Sequence, residues 1–185
     1  MANPFQQLRV DPVSVRKSQA WYQNQINQLG NLTRKVNAAL SSSNAPLVPG
    51  GLYLFRYDPK HKDTLPYYDT LPLVLPFASA PGGFLGINLH YLPYGLRFKL
   101  MGALLDLVTD IEDPQSRAKI SWNILNSSSK FTGVSACVKH YLTAHVHSPF
   151  MNIPNDQWLA AAMMPIEQFS GASKEQVFKQ SRRML

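Results

Sequence analysis

Two Pro-Gly-Gly turns divide the middle of the chain into short apolar segments, and this spacing constrains the fold more than any other feature. The turn at Pro49–Gly51 precedes the aromatic run Leu52–Tyr57, and the turn at Pro81–Gly83 precedes the run Phe84–Tyr91. Aromatic and branched residues bounded by such turns are typical of β-strands. Strands this short and this close together predict a mainly antiparallel sheet or a small barrel.

A third apolar run, Leu71–Phe77, lies between these two segments. Pro72 and Pro76 each lack the N–H group that a central strand donates to its neighbour, so we expect an edge strand or an interrupted one. Phe150–Ile153 is predicted as a short strand that joins the sheet later in the chain.

The ends of the chain have helical patterns instead. Asp11 and Pro12 are typical of a helix N-cap and first position, and an apolar stripe at helical spacing follows them. The opposite face is rich in Asn and Gln, so we interpret residues 1–45 as either a docking arm or an ordinary core-facing helix. Its candidate interface residues are Trp21, Tyr22, Ile26 and Leu29. Residues 41–46 are rich in Ser, Asn and Pro and end this arm, and 46–185 form the core domain.

The second half adds helices to the sheet and completes an α+β fold with an N-terminal amphipathic docking helix. Trp158–Met164 is an apolar patch of ambiguous type. The segments predicted to be helical are Leu96–Ile111, Ser116–Leu125, Val134–Val146 and Ser173–Arg183.

Composition points to a folded, basic protein. The net charge is +7 with a pI near 9.6, which favours a polyanionic partner such as nucleic acid but also suits an acidic protein neighbour. Cys137 is the only cysteine, so no intrachain disulfide is expected. The first residues lack a signal-peptide plan, and no apolar run approaches the ~20 residues of a membrane span. We therefore expect a protein made in a cytoplasm, without a membrane partner.

The search for catalytic motifs gives no complete site. His140, His145 and His147 have spacings that do not share a helical face, and Cys137 adds too few ligands for structural zinc. Asp58 and Lys60 have the D-x-K spacing of metal-dependent nucleases, but Pro59, His61 and Pro66 indicate a loop there. No nucleophile motif or phosphate-cradling loop is present. We expect no enzyme activity, no cofactor and no metal, with a metal-dependent nuclease as the alternative.

Aromatic residues are concentrated between Tyr53 and Tyr94, and cations lie among or just after them. Most of these rings should fill the core of a small sheet, while exposed ones would contact either protein or nucleic acid. Tyr67 and Tyr68 are the interface candidates of this segment. The nucleic-acid candidates are Lys60, Lys62, Arg97 and Lys99, together with Arg182 and Arg183 at the C-terminus.

Four segments carry a resemblance to a known family: Gly51–Asp69, Phe84–Pro93, Cys137–Thr143 and Pro165–Phe169. They are similar to virion assembly proteins of T-even-like contractile-tailed phages, and most like the DNA-end-protector type of head-completion protein. The resemblance implies a late virion component that secures the end of the packaged genome against host exonucleases. It brings no catalytic residues.

This resemblance leaves the position in the particle open. A head-completion protein would contact neck or portal proteins and could also contact the packaged DNA end, whereas a tail or baseplate subunit would contact only protein neighbours. In either case we expect several copies per virion, assembled in the host cytoplasm. The dispersed basic residues favour protein contacts and the high pI favours DNA.

Overall fold

The structure is a computed structural model, and it describes residues 46–98, 100, 101, 123, 136–154 and 157–183. The chain forms mainly antiparallel sheets with a few helices, as expected for an α+β fold. The strands are β1 (Leu52–Leu54), β2 (Tyr68–Asp69), β3 (Leu73–Ala80), β4 (Gly83–Asn88), β5 (Val138–Leu142), β6 (Met151–Ile153) and β7 (Phe169–Ser170). The helices are α1 (residues 94–98, 100 and 101), α2 (Trp158–Met163) and α3 (Lys174–Arg183), with 3-10 turns at Leu89–Tyr91 and Thr143–His145.

Five strands form one sheet in the order β5-β4-β3-β1-β6, and β2 and β7 form a separate pair. Every pairing is antiparallel. The predicted strands in 51–91 and at Phe150–Ile153 are therefore confirmed, although β1 ends at Leu54 and β4 passes into a 3-10 turn at Leu89.

Of the two alternatives for the third apolar run, the edge position is wrong, because β3 lies in the middle of the sheet between β4 and β1. The interrupted strand is confirmed, since the register with β4 shifts between Pro76 and Ala78. The shift leaves Phe77 without a register partner, while Pro76 stays opposite Gly86. The N–H and C=O groups of one residue point to the same side of an antiparallel strand, so the missing N–H of Pro76 faces Gly50, before β1 begins at Leu52. The Pro76 carbonyl is still used, because it accepts a hydrogen bond of 2.9 Å from the Gly50 N–H.

Side-chain alternation divides the core between the two faces of the sheet. The larger cluster includes Leu52, Leu54 and Leu75 and packs against α2 and α3, which contribute Trp158 and Val177. The opposite face holds a smaller, aromatic cluster. Its buried members are Tyr53, Phe55, Tyr57, Val74, Phe84 and Tyr141.

The helical prediction for Val134–Val146 is wrong, because this segment contains β5, which pairs with β4 at five positions from Val138 to Leu142. Close approach between these strands depends on Gly83, where an added Cβ would lie 1.8 Å from the Tyr141 carbonyl oxygen. The pairing partner lies far away along the chain, so local spacing gave no sign of it.

The C-terminal helix is confirmed as α3. Before it, the Ser173 N–H donates to the Gln176 side chain and the Gln176 N–H donates to the Ser173 hydroxyl, which is a capping box. The start of the helix predicted at Leu96–Ile111 is confirmed as α1, and the ambiguous patch at Trp158 is helical. The N-terminal arm and, apart from Asn123, the helix predicted at Ser116–Leu125 lie outside the described residues. In the described ranges, no helix has the length and apolar character needed to cross a membrane.

Candidate nucleic-acid interface

An open cleft of about 560 Å³ lies between edge strand β5 and the loop that leads from β1 to β2. Its walls combine aromatic faces with basic groups, and one carboxyl group lies at its base. The tyrosines are Tyr57, Tyr67, Tyr68, Tyr91 and Tyr141. The basic or imidazole side chains are Lys60, His61, Lys139 and His140, and the acid is Asp69.

Tyr57 ties the loop to the edge of the sheet. Its hydroxyl accepts a hydrogen bond of 3.1 Å from the Leu142 N–H, and its ring packs edge-on against Tyr141 with centroids 5.0 Å apart. The Thr143 N–H donates to the Gly82 carbonyl, which lies on the side of β4. Successive N–H groups of a strand point to opposite sides, so the Leu142 N–H points away from β4. Because the direction alternates along an antiparallel strand, the His140 N–H also faces outward, towards the cleft.

A second aromatic group supports the opposite wall. Tyr67 lies 5.9 Å from Tyr91 between ring centroids, and Tyr91 in turn packs edge-on against Phe169 at 5.2 Å. The Tyr67 hydroxyl donates to the Gln180 side chain of α3. Tyr68 is half-buried, and its backbone is fixed by pairing with Ser170 in β7. These rings are therefore presented by fixed elements and not by a free loop.

Lys139 places a cation inside the cleft. Its Nζ lies 4.3 Å from the centroid of the Tyr91 ring, which is cation–π geometry. Burial lowers the pKa of Lys139 because it disfavours the charged ammonium. Among the described residues no carboxylate forms an ion pair with it.

Asp69 is buried, and its charge is used inside the protein. Oδ1 accepts a hydrogen bond of 3.0 Å from the Leu71 N–H. Oδ2 accepts a hydrogen bond of 3.0 Å from Asn88 Nδ2 and lies 2.8 Å from His90 Nδ1. Burial alone would raise the pKa of the Asp69 carboxyl, but the electrostatic interaction with His90 and these hydrogen bonds together hold it below its usual value. The carboxylate is thus compensated, so it repels an incoming anion less than a free one would.

The loop itself carries the remaining cations. Lys60 and His61 are exposed and line the cleft. Lys62 pairs instead with Asp58 at 2.9 Å, with both side chains about half exposed, and does not line the cleft. That hydrogen bond lowers the pKa of the Asp58 carboxyl.

The structure brings three predicted residues together at the cleft: Lys60, Tyr67 and Tyr68. Whether they contact nucleic acid or protein stays a prediction. Several other candidates lie outside the description. These are Trp21, Tyr22, Ile26, Leu29 and Lys99, and the side chains of Arg182 and Arg183.

The choice of Arg97 as a nucleic-acid contact is wrong, because its side chain is completely buried. Its guanidinium lies 2.6 Å from Glu167 Oε1 and donates to the backbone carbonyls of Leu92, Ala162 and His90 at 2.7–3.1 Å. These bonds join α1 to the end of α2 and to the turn after β4. Arg97 is a structural crosslink with no face left for a phosphate.

The residues considered for catalysis do not assemble into a site. In the described part of the chain no group of three His, Cys, Asp or Glu side chains could hold a metal ion. Asp58 and Lys60 lie in a loop, as predicted, and the partner of Asp58 is Lys62. Cys137 is buried, and burial raises the pKa of its thiol to about 12, which disfavours a reactive thiolate.

Sequence reasoning missed Lys139, His140 and Tyr141 as members of the site. They were assigned to a helix, and only their place on β5 brings them beside the tyrosine-rich loop. The run of branched, aromatic and basic residues from Val138 to Leu142 was the one available signal for a strand.

A search of curated proteins finds no match to this chain, and a search of solved structures finds none either. The family model described as phage T4 terminal DNA protecting protein matches residues 6–184, a range that includes every residue of the cleft. This match confirms the resemblance to DNA-end protectors of T4-like phages. The chain therefore belongs to the phage T4 terminal DNA protecting protein family.

Proposed function

We propose that this protein is a non-catalytic virion component that binds the ends of the packaged phage DNA and shields them from exonucleases. The observation that carries the proposal is the cleft, where tyrosine rings and the cations Lys60 and Lys139 share one surface. Family membership supports it, since the family is described by protection of terminal DNA.

The cleft suits binding to DNA of any sequence. Cations neutralise phosphates and release counterions, and this attraction does not depend on the bases. Every base has a π face, so stacking on tyrosine is equally tolerant. Among the described lining residues there is no Arg, Asn or Gln, whose planar side chains read base edges with paired hydrogen bonds; the cations there are lysines.

We further propose that the protein acts as a head-completion protein near the junction of head and tail, in several copies and in contact with neck or portal proteins. A protein that covers the end of packaged DNA has to lie where that end is held. The N-terminal residues Trp21, Tyr22, Ile26 and Leu29 remain our candidates for the protein contacts. Localisation of the protein in intact virions by cryo-electron microscopy tests this, and density only in the tail or baseplate would contradict it.

Exonuclease protection tests the DNA role directly. The purified full-length protein should slow digestion of linear duplex DNA, and protection should weaken as salt rises because counterion release drives binding. The matched control is the same duplex closed by hairpins, which has the same phosphates but no free end. Absence of both protection and binding at low salt, or equal affinity for open and closed duplexes, would contradict the proposal.

A further inference from the structure

We infer that the cleft holds an unpaired terminal nucleotide, so that the protein prefers a single-stranded DNA end to a blunt duplex end. This inference rests on the proposed function, because it assigns the part of the DNA that the cleft receives. It goes further by predicting a preference between two kinds of end.

The size of the cleft is the first argument. Clefts of roughly 300–1,000 Å³ enclose ligands of drug size, and the volume here is about 560 Å³. A nucleotide belongs to that size class, whereas a base pair would have to enter together with its partner strand and the pair stacked beneath it. The size of the cleft therefore suits one nucleotide better than a base pair.

The second argument is the chemistry of the walls. An unpaired base can expose both π faces, whereas the last pair of a blunt duplex exposes only its outer face, and tyrosine rings stack on such faces. Tyr68 is half-buried and lies in β2, and Tyr67 is held beside it by Tyr91 and Phe169. The unpairing cost is smallest for a nucleotide that is already single-stranded, so an overhang enters most easily.

The third argument is the arrangement of charge around those rings. Lys60 is exposed and lines the cleft, Lys139 lies over Tyr91, and the outward His140 N–H adds a backbone donor. Amide and ammonium donors of this kind hold phosphate oxygens without reading sequence. Both oxygens of Asp69 already have partners within the protein, so the acid at the base does not prevent entry of a phosphate.

Fluorescence anisotropy with three duplexes tests the inference. They share one core sequence and end in a blunt terminus, a short 3′ overhang or a short 5′ overhang, with the dye on a hairpin that closes the far end. We expect at least one overhang to bind more tightly than the blunt duplex by about fivefold or more, the lower range for one stacked base.

Two pairs of variants of the full chain locate the effect. Tyr68→Ala should reduce affinity for the preferred overhang by roughly 5- to 150-fold, whereas Tyr68→Phe keeps the ring and should retain it. Lys60→Gln should weaken binding and reduce the salt slope by about 0.7, the value for one phosphate contact on a single strand. Lys62→Gln removes the same charge from the same loop but outside the cleft, and should change affinity for the overhang less.

The outcomes separate this inference from the proposed function. Equal affinity for blunt and overhanging ends, with exonuclease protection intact, would overturn the inference and leave the function standing. Loss of protection and binding for every duplex would overturn both. Circular dichroism checks the fold of each variant. If Tyr68→Ala does not fold, the Lys60 and Lys62 pair decides, and equal effects of those two variants would also overturn the inference.

Discussion

Removal of Glu167 tests whether Arg97 is structural, as its burial implies. The two side chains are 0% and 2% exposed and lie 2.6 Å apart, so the pair is inside the protein. Glu167→Ala would leave the guanidinium hydrogen-bonded to three carbonyls but without its counter-charge. Burial lowers the pKa of Arg97 and Glu167 opposes that effect, so the carboxylate is what offsets the cost of burying the cation.

Breaking a buried ion pair by removing one partner costs about 3–5 kcal/mol. In a chain of 185 residues each kcal/mol lowers Tm by roughly 2–4 °C, so Glu167→Ala should lower Tm by about 6–20 °C. The double variant Arg97→Met with Glu167→Leu removes both charges and keeps most of the volume. It leaves no unpaired charge buried but also removes the three guanidinium hydrogen bonds, so its difference from Glu167→Ala compares the cost of the unpaired charge with the cost of those bonds.

Thermal unfolding followed by far-ultraviolet circular dichroism measures these differences, and the double-mutant cycle gives the coupling between the two residues. A DNA-binding assay across a salt series provides the second readout. Because Arg97 is buried, the folded Arg97→Met protein should keep the salt slope of the wild type. A variant with unchanged Tm and a slope reduced by about 1 would show that Arg97 reaches phosphate and would refute this reasoning.

Three other predictions follow from local geometry. Gly83→Ala should destabilise the protein by about 1–3 kcal/mol or more in urea unfolding, because the new Cβ meets the Tyr141 carbonyl, whereas Gly95→Ala in open space on α1 should stabilise it by about 0.5–1 kcal/mol. The folded-state pKa of Asp69 lies below the unfolded value of about 3.8, so its stabilisation is present above that pH and is lost as pH falls through the folded value. Urea midpoints should therefore fall more steeply between pH 5 and about pH 2 in the wild type than in Asp69→Asn, which should already be less stable at pH 7. Cys137 should resist iodoacetamide at pH 8 until urea unfolds the protein, because burial raises the pKa of its thiol to about 12, and rapid labelling of the native protein would contradict its buried position.

Local sequence signals were sufficient for most of the sheet and insufficient for its edge. Turns before Leu52 and Phe84 defined where strands begin, and turn chemistry acts over only a few residues. Strand β5 is recognised only through its pairing with β4, which lies about fifty residues earlier, so the helical interpretation of Val134–Val146 failed. The central position of β3 was not predicted, because the missing N–H of Pro76 faces Gly50, before β1 begins, and so removes no bond from the β1–β3 ladder.

In the candidate site, too, residues from one continuous segment were predicted, whereas contacts between distant segments were not. Lys60, Tyr67 and Tyr68 were identified because one continuous segment supplies them. The contact of Lys139 with Tyr91 and the bond of Asp69 to His90 join distant parts of the chain, so neither was predicted. Arg97 was misassigned because a basic residue near aromatic ones has the same pattern in sequence whether it is exposed or buried.

Among the basic side chains that the structure describes, Lys62 is paired with Asp58 and Arg97 with Glu167, so part of each charge is balanced locally. Lys139 differs, because it is largely withdrawn from water, lies over a tyrosine ring and forms no ion pair with the described carboxylates. A desolvated cation without a counter-ion destabilises the fold. Binding of an anion in the adjacent open cleft would offset that unfavourable free energy. Under the proposed function, that anion would be a phosphate of the DNA end.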